Sequence, residues 1–145
     1  MSTLEHSALP STSHEGNLTI MAHVAYALYL FSYFTVGLSW LVAIIISYVK
    51  RNDANGTWLR SHFDWQIKTF WYTIIMAVVG GVLFFAAMPA GIVGLMADNS
   101  ATSFSLLSAS GLVLLAGVAV WVFAALWHLY RIVRGWLDLV AKQPV

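Results

Sequence analysis

TFWYTIIMAVVGGVLFFAAMPAGIVGLMA, residues 69–97, carries no Asp, Glu, Lys or Arg. As one helix rising about 1.5 Å per residue it is roughly 44 Å long. That exceeds the hydrocarbon core of a bilayer, about 30 Å thick. Two crossings and a turn would need roughly 40 residues, so the stretch predicts a single crossing. Working outward, Val24 to Val49 is also free of charge and stops at Lys50-Arg51. Phe104 to Trp127 is a third such run, of about 24 residues. The fold expected is all-α: an integral membrane protein with three transmembrane helices, at about 23–49, 69–97 and 104–130.

The composition agrees. The chain is 60% hydrophobic and 9% charged, against roughly 25% charged in an ordinary soluble domain. So little charge cannot keep a globular surface wet, and an outer surface facing lipid resolves the difficulty. Seven Trp residues suit membrane–water boundaries. A net charge of +1 argues against nucleic-acid binding driven by charge. There is no Cys, which excludes disulfides, thiolate metal sites and cysteine nucleophiles.

Between the runs the chain changes character. Residues 1–19 are rich in Ser and Thr with Pro10 and Gly16, and are expected to form a disordered external tail. This stretch holds Glu5 and Glu15 and no Lys or Arg, so it does not read as a cleavable leader. Residues 20–143 then form one membrane domain. At 58–68, Leu59, Phe63 and Ile67 share one helical face and Arg60, Asp64 and Lys68 another. This predicts a short amphipathic helix lying in the interface before the second span. Residues 131–142 repeat the pattern as a helical extension at the C-terminal end. Pro89, followed by Gly91 and Gly94, predicts a kink or an early end near Met88. Ala77, Gly80, Gly81 and Gly111 offer slim positions for helix packing.

Charge gives an orientation. Lys50, Arg51, Arg60, Lys68, Arg131, Arg134 and Lys142 are all seven basic residues of the chain. With three crossings they fall on one side, and the 1–19 tail and the 98–103 loop, which hold none, fall on the other. Basic residues stay cytoplasmic. The expectation is an external, periplasmic N-terminus and a cytoplasmic C-terminus.

Polar side chains converge at the same depth. Ser61, His62, Asp64 and Gln66 precede the second span, and His128, Arg131 and Arg134 follow the third. Asp64 is positioned to pair with Arg131 or Arg134, and His62 or Gln66 to hydrogen-bond across. The plain reading is that these groups anchor helix ends and contact lipid phosphates. The functional reading is an interaction belt for another protein. His62 and His128 are the one pair suited to zinc or haem iron. Yet no His-Glu-x-x-His pattern or paired carboxylate supports a site, and His23 sits at the far end of the first span. No cofactor and no metal are expected.

Two stretches carry a family resemblance: Ser61-His62-Phe63-Asp64-Trp65-Gln66-Ile67-Lys68-Thr69-Phe70-Trp71 and Tyr130-Arg131-Ile132-Val133-Arg134-Gly135-Trp136. They resemble a family of uncharacterised small bacterial inner-membrane proteins, itself distantly similar to the chloroplast inner-envelope import translocon subunit. The resemblance runs over most of residues 23–140. Asp64 departs from it, standing where a polar or basic residue is the pattern. What it implies is fold and a multi-pass location in the bacterial inner membrane.

No catalytic constellation is visible. The runs lack the ionisable groups that proton relays need, and no Ser has His and Asp partners at membrane depth. The reading is therefore non-enzymatic: an accessory, assembly or scaffold component in the lipid bilayer, binding other membrane proteins or itself. The alternative is an oligomeric transport or translocation channel subunit, since three helices without a polar lining enclose no pore alone. A haem or metal carrier stands behind both.

Overall fold

The computed structural model describes residues 9–35 and 37–145, with side chains from Ser13 onward. Four helices occur among them: α1 Leu9–Phe31, α2 Leu38–Asp53, α3 Leu59–Met96 and α4 Ser100–Val140. No strand is present among the described residues. The chain divides into two compact units, Met1–Phe70 with Leu129–Val145, and Trp71–His128.

Helices α3 and α4 are long and apolar enough to cross a membrane. Their most apolar windows are only 11% and 17% buried within the chain, whereas the core helix of a soluble protein would be mostly covered. α3 passes through Pro89 without stopping, so the early end expected near Met88 does not occur. Nor is the 58–68 segment a separate amphipathic helix. It forms the first turns of α3, because no Gly or Pro interrupts the sequence from Leu59 to Val79. The 131–142 segment likewise continues α4 to Val140. Asn99 starts α4: its Oδ1 accepts from the backbone N–H of Ala101 at 2.9 Å and of Thr102 at 3.4 Å.

The second unit is the antiparallel pairing of α3 and α4. Small residues recur at seven-residue intervals on both: Thr73, Gly80, Ala87 and Gly94, facing Ser103, Ser110, Gly117 and Ala124. A strict seven-residue repeat keeps one stripe of each helix against its partner. Without side chains to hold them apart the backbones come close. A Cβ on Gly117 would lie 2.9 Å from the Gly80 carbonyl oxygen and 3.1 Å from the Phe84 nitrogen. Trp121 closes the seam, donating from Nε1 to the Ala77 carbonyl at 3.0 Å and stacking on Phe84.

This corrects the packing set. Gly80 lies in the seam, and Ala77 contributes through its carbonyl. Gly81 meets Trp121 only at an ordinary 3.9 Å, and Gly111 meets nothing within 4 Å. Gly111 sits one residue past Ser110, which turns it off the stripe that Ser110 and Gly117 define.

The first unit departs furthest from expectation. The run 23–49 is not one span. It is two helices, α1 and α2, joined by a turn between Phe31 and Leu38. Gly37 makes the turn possible, at φ +88, a left-handed conformation that costs side-chain-bearing residues about 1–2 kcal/mol. The two helices run antiparallel, since Ser13, His14 and Asn17 of α1 line one groove with Lys50 and Asp53 of α2. α1 begins at Leu9, so part of the 1–19 segment expected to be disordered is helical. The rest of that expectation, residues 1–8, lies outside the described residues.

Candidate functional site

His62, Gln66 and Thr69 follow one another at i, i+4 and i+7, which places them on one face of α3. That face is turned inward in the first unit, where His62 is 0% and Gln66 1% exposed. Buried polar groups are tolerated when they are hydrogen-bonded, and each of these has partners on other segments. His62 Nε2 lies 2.8 Å from the Gln143 carbonyl oxygen, which only accepts, so Nε2 carries the proton. Nδ1 is then the acceptor for the Tyr26 hydroxyl at 3.2 Å. The neutral imidazole thus ties α3 to α1 and to the chain just beyond α4. Trp58 packs edge-on against the same ring.

Gln66 performs the same task toward the hairpin. Its Nε2 donates to the Ala22 carbonyl at 3.4 Å and its Oε1 accepts from Ser47 Oγ at 2.7 Å. Ser47 is also 2.8 Å from the Ala43 carbonyl, so its one hydroxyl proton is shared between two acceptors. Arg131, 8% exposed, lays its guanidinium 3.5 Å over the Trp65 ring, a cation–π contact strengthened by burial. A closed circuit holds it there. Arg131 Nε donates to Thr69 Oγ1 at 2.8 Å, and Thr69 Oγ1 to the Trp65 carbonyl at 2.7 Å. Trp65 Nε1 donates back to the Arg131 carbonyl at 3.0 Å.

The end of α4 is bound into this layer. Gln143 N–H donates to the Asp138 carbonyl and Lys142 N–H to the Leu139 carbonyl, a Schellman ending with Lys142 at φ +55. The chain then turns so that Val145 N–H meets Ser61 Oγ at 3.1 Å. Gly135 serves packing in this layer. A Cβ there would lie 2.5 Å from the Tyr26 hydroxyl and 3.0 Å from Trp65 Cδ1.

Of the expected belt, Ser61, His62, Gln66 and Arg131 come together in this layer. Asp64 does not meet Arg131 or Arg134. It faces outward and pairs with Arg51 of α2 and, at 3.8 Å, with Arg60. The cause is the hairpin, which brings the end of α2 beside the start of α3. Arg134 is exposed and donates to the Tyr130 hydroxyl one turn earlier, at 2.9 Å. His128 belongs to the second unit, where Nδ1 lies 2.9 Å from Thr73 Oγ1. His23, placed by sequence at a far end, joins the layer, with Nδ1 accepting from Trp136 Nε1 at 3.0 Å. Tyr26 and Ser47 also belong to the layer, as do Trp65 and Thr69, which the sequence marks only as part of the 61–71 resemblance. Their signal is weak: polar atoms inside runs whose apolar neighbours dominate the reading.

Chemically the arrangement is a set of braces. Its donors and acceptors are spent on one another, and among the described residues no three His, Asp or Glu side chains gather as metal ligands. This unit also carries an open groove of about 700 Å³ between the start of α1 and the end of α2. There the hydrogen bond from Lys50, 2.9 Å from Asp53, together with its charge, holds the Asp53 carboxyl below the usual carboxylate range. No family model, curated protein or solved structure matches the chain.

Proposed function

We propose that the chain is a non-enzymatic accessory or assembly component of a bacterial inner membrane that binds other membrane proteins. One observation carries this reading. Ser61, His62, Gln66 and Arg131, which looked available for chemistry, are spent on holding the first unit together, while both long helices leave most of their apolar surface uncovered. Lipid and partner helices are the natural covering of such surface. The outer polar positions, Arg51, Arg60, Asp64, Lys68 and Arg134, form the rim a partner would meet from the cytoplasmic side. His62, Gln66 and Arg131 support that rim from within. The resemblance at residues 61–71 and 130–136 supports the location, as does the gathering of every Lys and Arg at 50–68 and 131–142.

A photoreactive residue at Lys68 or Arg134, activated in intact membranes, tests the proposal. The expected result is adducts with one or a few other membrane proteins. Adducts only between copies of this chain would favour the oligomeric transport reading. A monodisperse monomer in mild detergent, with no adduct from either position, would refute both.

A further inference from the structure

We infer that α1 and α2 form a re-entrant hairpin that enters the membrane from the same side as the basic residues and returns to it. Its outer face then contacts lipid acyl chains, and residues on either side of the hairpin lie on that one side. The inference rests on the proposal that α3 and α4 each cross the bilayer.

Length is the first argument. The charge-free part of α2, Leu38 to Val49, rises about 18 Å, and the stretch of α1 from Leu18 to Phe31 about 21 Å. Neither reaches across a hydrocarbon core of about 30 Å. Both ends of the hairpin are polar and sit together, since His14, Asn17, Lys50 and Asp53 line the same groove. The tip is the opposite. Phe34 is 80% and Leu38 72% exposed, with Phe31 and Tyr33 beside them. A tip of this kind in water would be a liability, and in the acyl region it is at home.

Backbone satisfaction is the second argument. In hydrocarbon, an irregular turn survives only if its N–H groups find partners within the protein. The N–H groups of Ser32, Tyr33, Phe34, Gly37 and Leu38 all bond to carbonyls in or next to the turn. The hydroxyls are occupied too: Ser32 Oγ donates to the Tyr29 carbonyl at 2.6 Å, and Thr35 Oγ1 and Ser39 Oγ lie 2.7 Å apart.

Depth is the third. Within the first unit, Trp40, near the tip, packs at a tilt against Phe70 with ring centroids 4.3 Å apart. Phe70 is the second residue of the charge-free stretch of α3, two residues past Lys68. The tip therefore reaches the outer part of the apolar zone. On this arrangement the first unit adds no crossing, and the external N-terminus expected from three spans gives way to one on the basic side.

The chain has no Cys, so single introduced cysteines report cleanly. The test uses Glu15→Cys, Phe34→Cys, Leu38→Cys, Ala101→Cys and Lys142→Cys in the full chain, in sealed membrane vesicles. Each is exposed to a membrane-impermeant maleimide before and after detergent. Glu15→Cys and Lys142→Cys are expected to react from one side and Ala101→Cys from the other. Phe34→Cys and Leu38→Cys are expected to react only after detergent. Glu15→Cys reacting from the Ala101 side would overturn the inference, as would either tip position reacting from that side before detergent. Ala101→Cys and Lys142→Cys reacting from the same side would instead defeat the underlying proposal that α3 and α4 cross.

Discussion

At the scale of single residues, two glycines on α4, six positions apart, differ in what a methyl group would meet. At Gly117 the nearest atoms are backbone, the Gly80 oxygen and the Phe84 nitrogen, and backbone in a paired helix cannot swing aside. At Gly111 there is open space. Gly117→Ala is therefore expected to lose about 1–3 kcal/mol, the usual cost of overpacking. Gly111→Ala should be neutral or gain up to about 1 kcal/mol from helix propensity. Reversible unfolding in mixed detergent micelles measures both, and equal effects would mean the seam is misassigned. The buried layer offers a second contrast. Ser47 and Gln66 share one hydrogen bond, so Ser47→Ala and Gln66→Leu should couple in a double-mutant cycle by about 1 kcal/mol. A coupling near zero would show that the Ala43 carbonyl alone satisfies Ser47.

At the scale of elements, the turn between α1 and α2 hangs on one residue with a positive φ. Gly37→Ala should weaken the hairpin by about 1–2 kcal/mol, whereas Gly16→Ala, with an ordinary helical backbone and nothing within 4 Å, should not. Hydrogen exchange across residues 24–49 would separate the two, with faster exchange only in the first variant. The same turn explains why part of the fold was hidden in the sequence. Long runs without charge declare α3 and α4 because length and hydropathy suffice for a crossing helix. A hairpin inside an uncharged run has the same composition as a span. Its break is marked only by Ser32, Thr35, Gly37 and Ser39, a cluster with no proline and no charge. Reading that run as one span puts His23 at a far end, whereas the hairpin brings it beside Trp136. The α3–α4 seam is legible in small residues recurring every seven positions, whereas the pair four apart, Ala77 and Gly81, leads to Gly81, which lies off that stripe.

At the scale of the whole molecule, the distribution of charge sets the expected orientation. All seven Lys and Arg residues flank the ends of α2, α3 and α4 that gather in the first unit, and the loop between α3 and α4 contributes only Asp98. Carrying a positive charge outward across an energised membrane works against about 2.3 kcal/mol per 100 mV. Two added lysines in that loop, Ala101→Lys with Thr102→Lys, would raise the barrier by about 5 kcal/mol per 100 mV. The expected outcome is a lower membrane yield or a mixed population, seen as partial loss of cytoplasmic signal from a reporter fused at Val145. The same two lysines at Ala141 and Gln143 add charge to the side already basic and should leave the signal intact. Because Gln143 engages His62 through its backbone carbonyl, that control spares the buried layer. If both pairs behaved alike, the clustering of basic residues would be serving contacts with lipid phosphates or a partner, and orientation would have to come from how α3 and α4 insert.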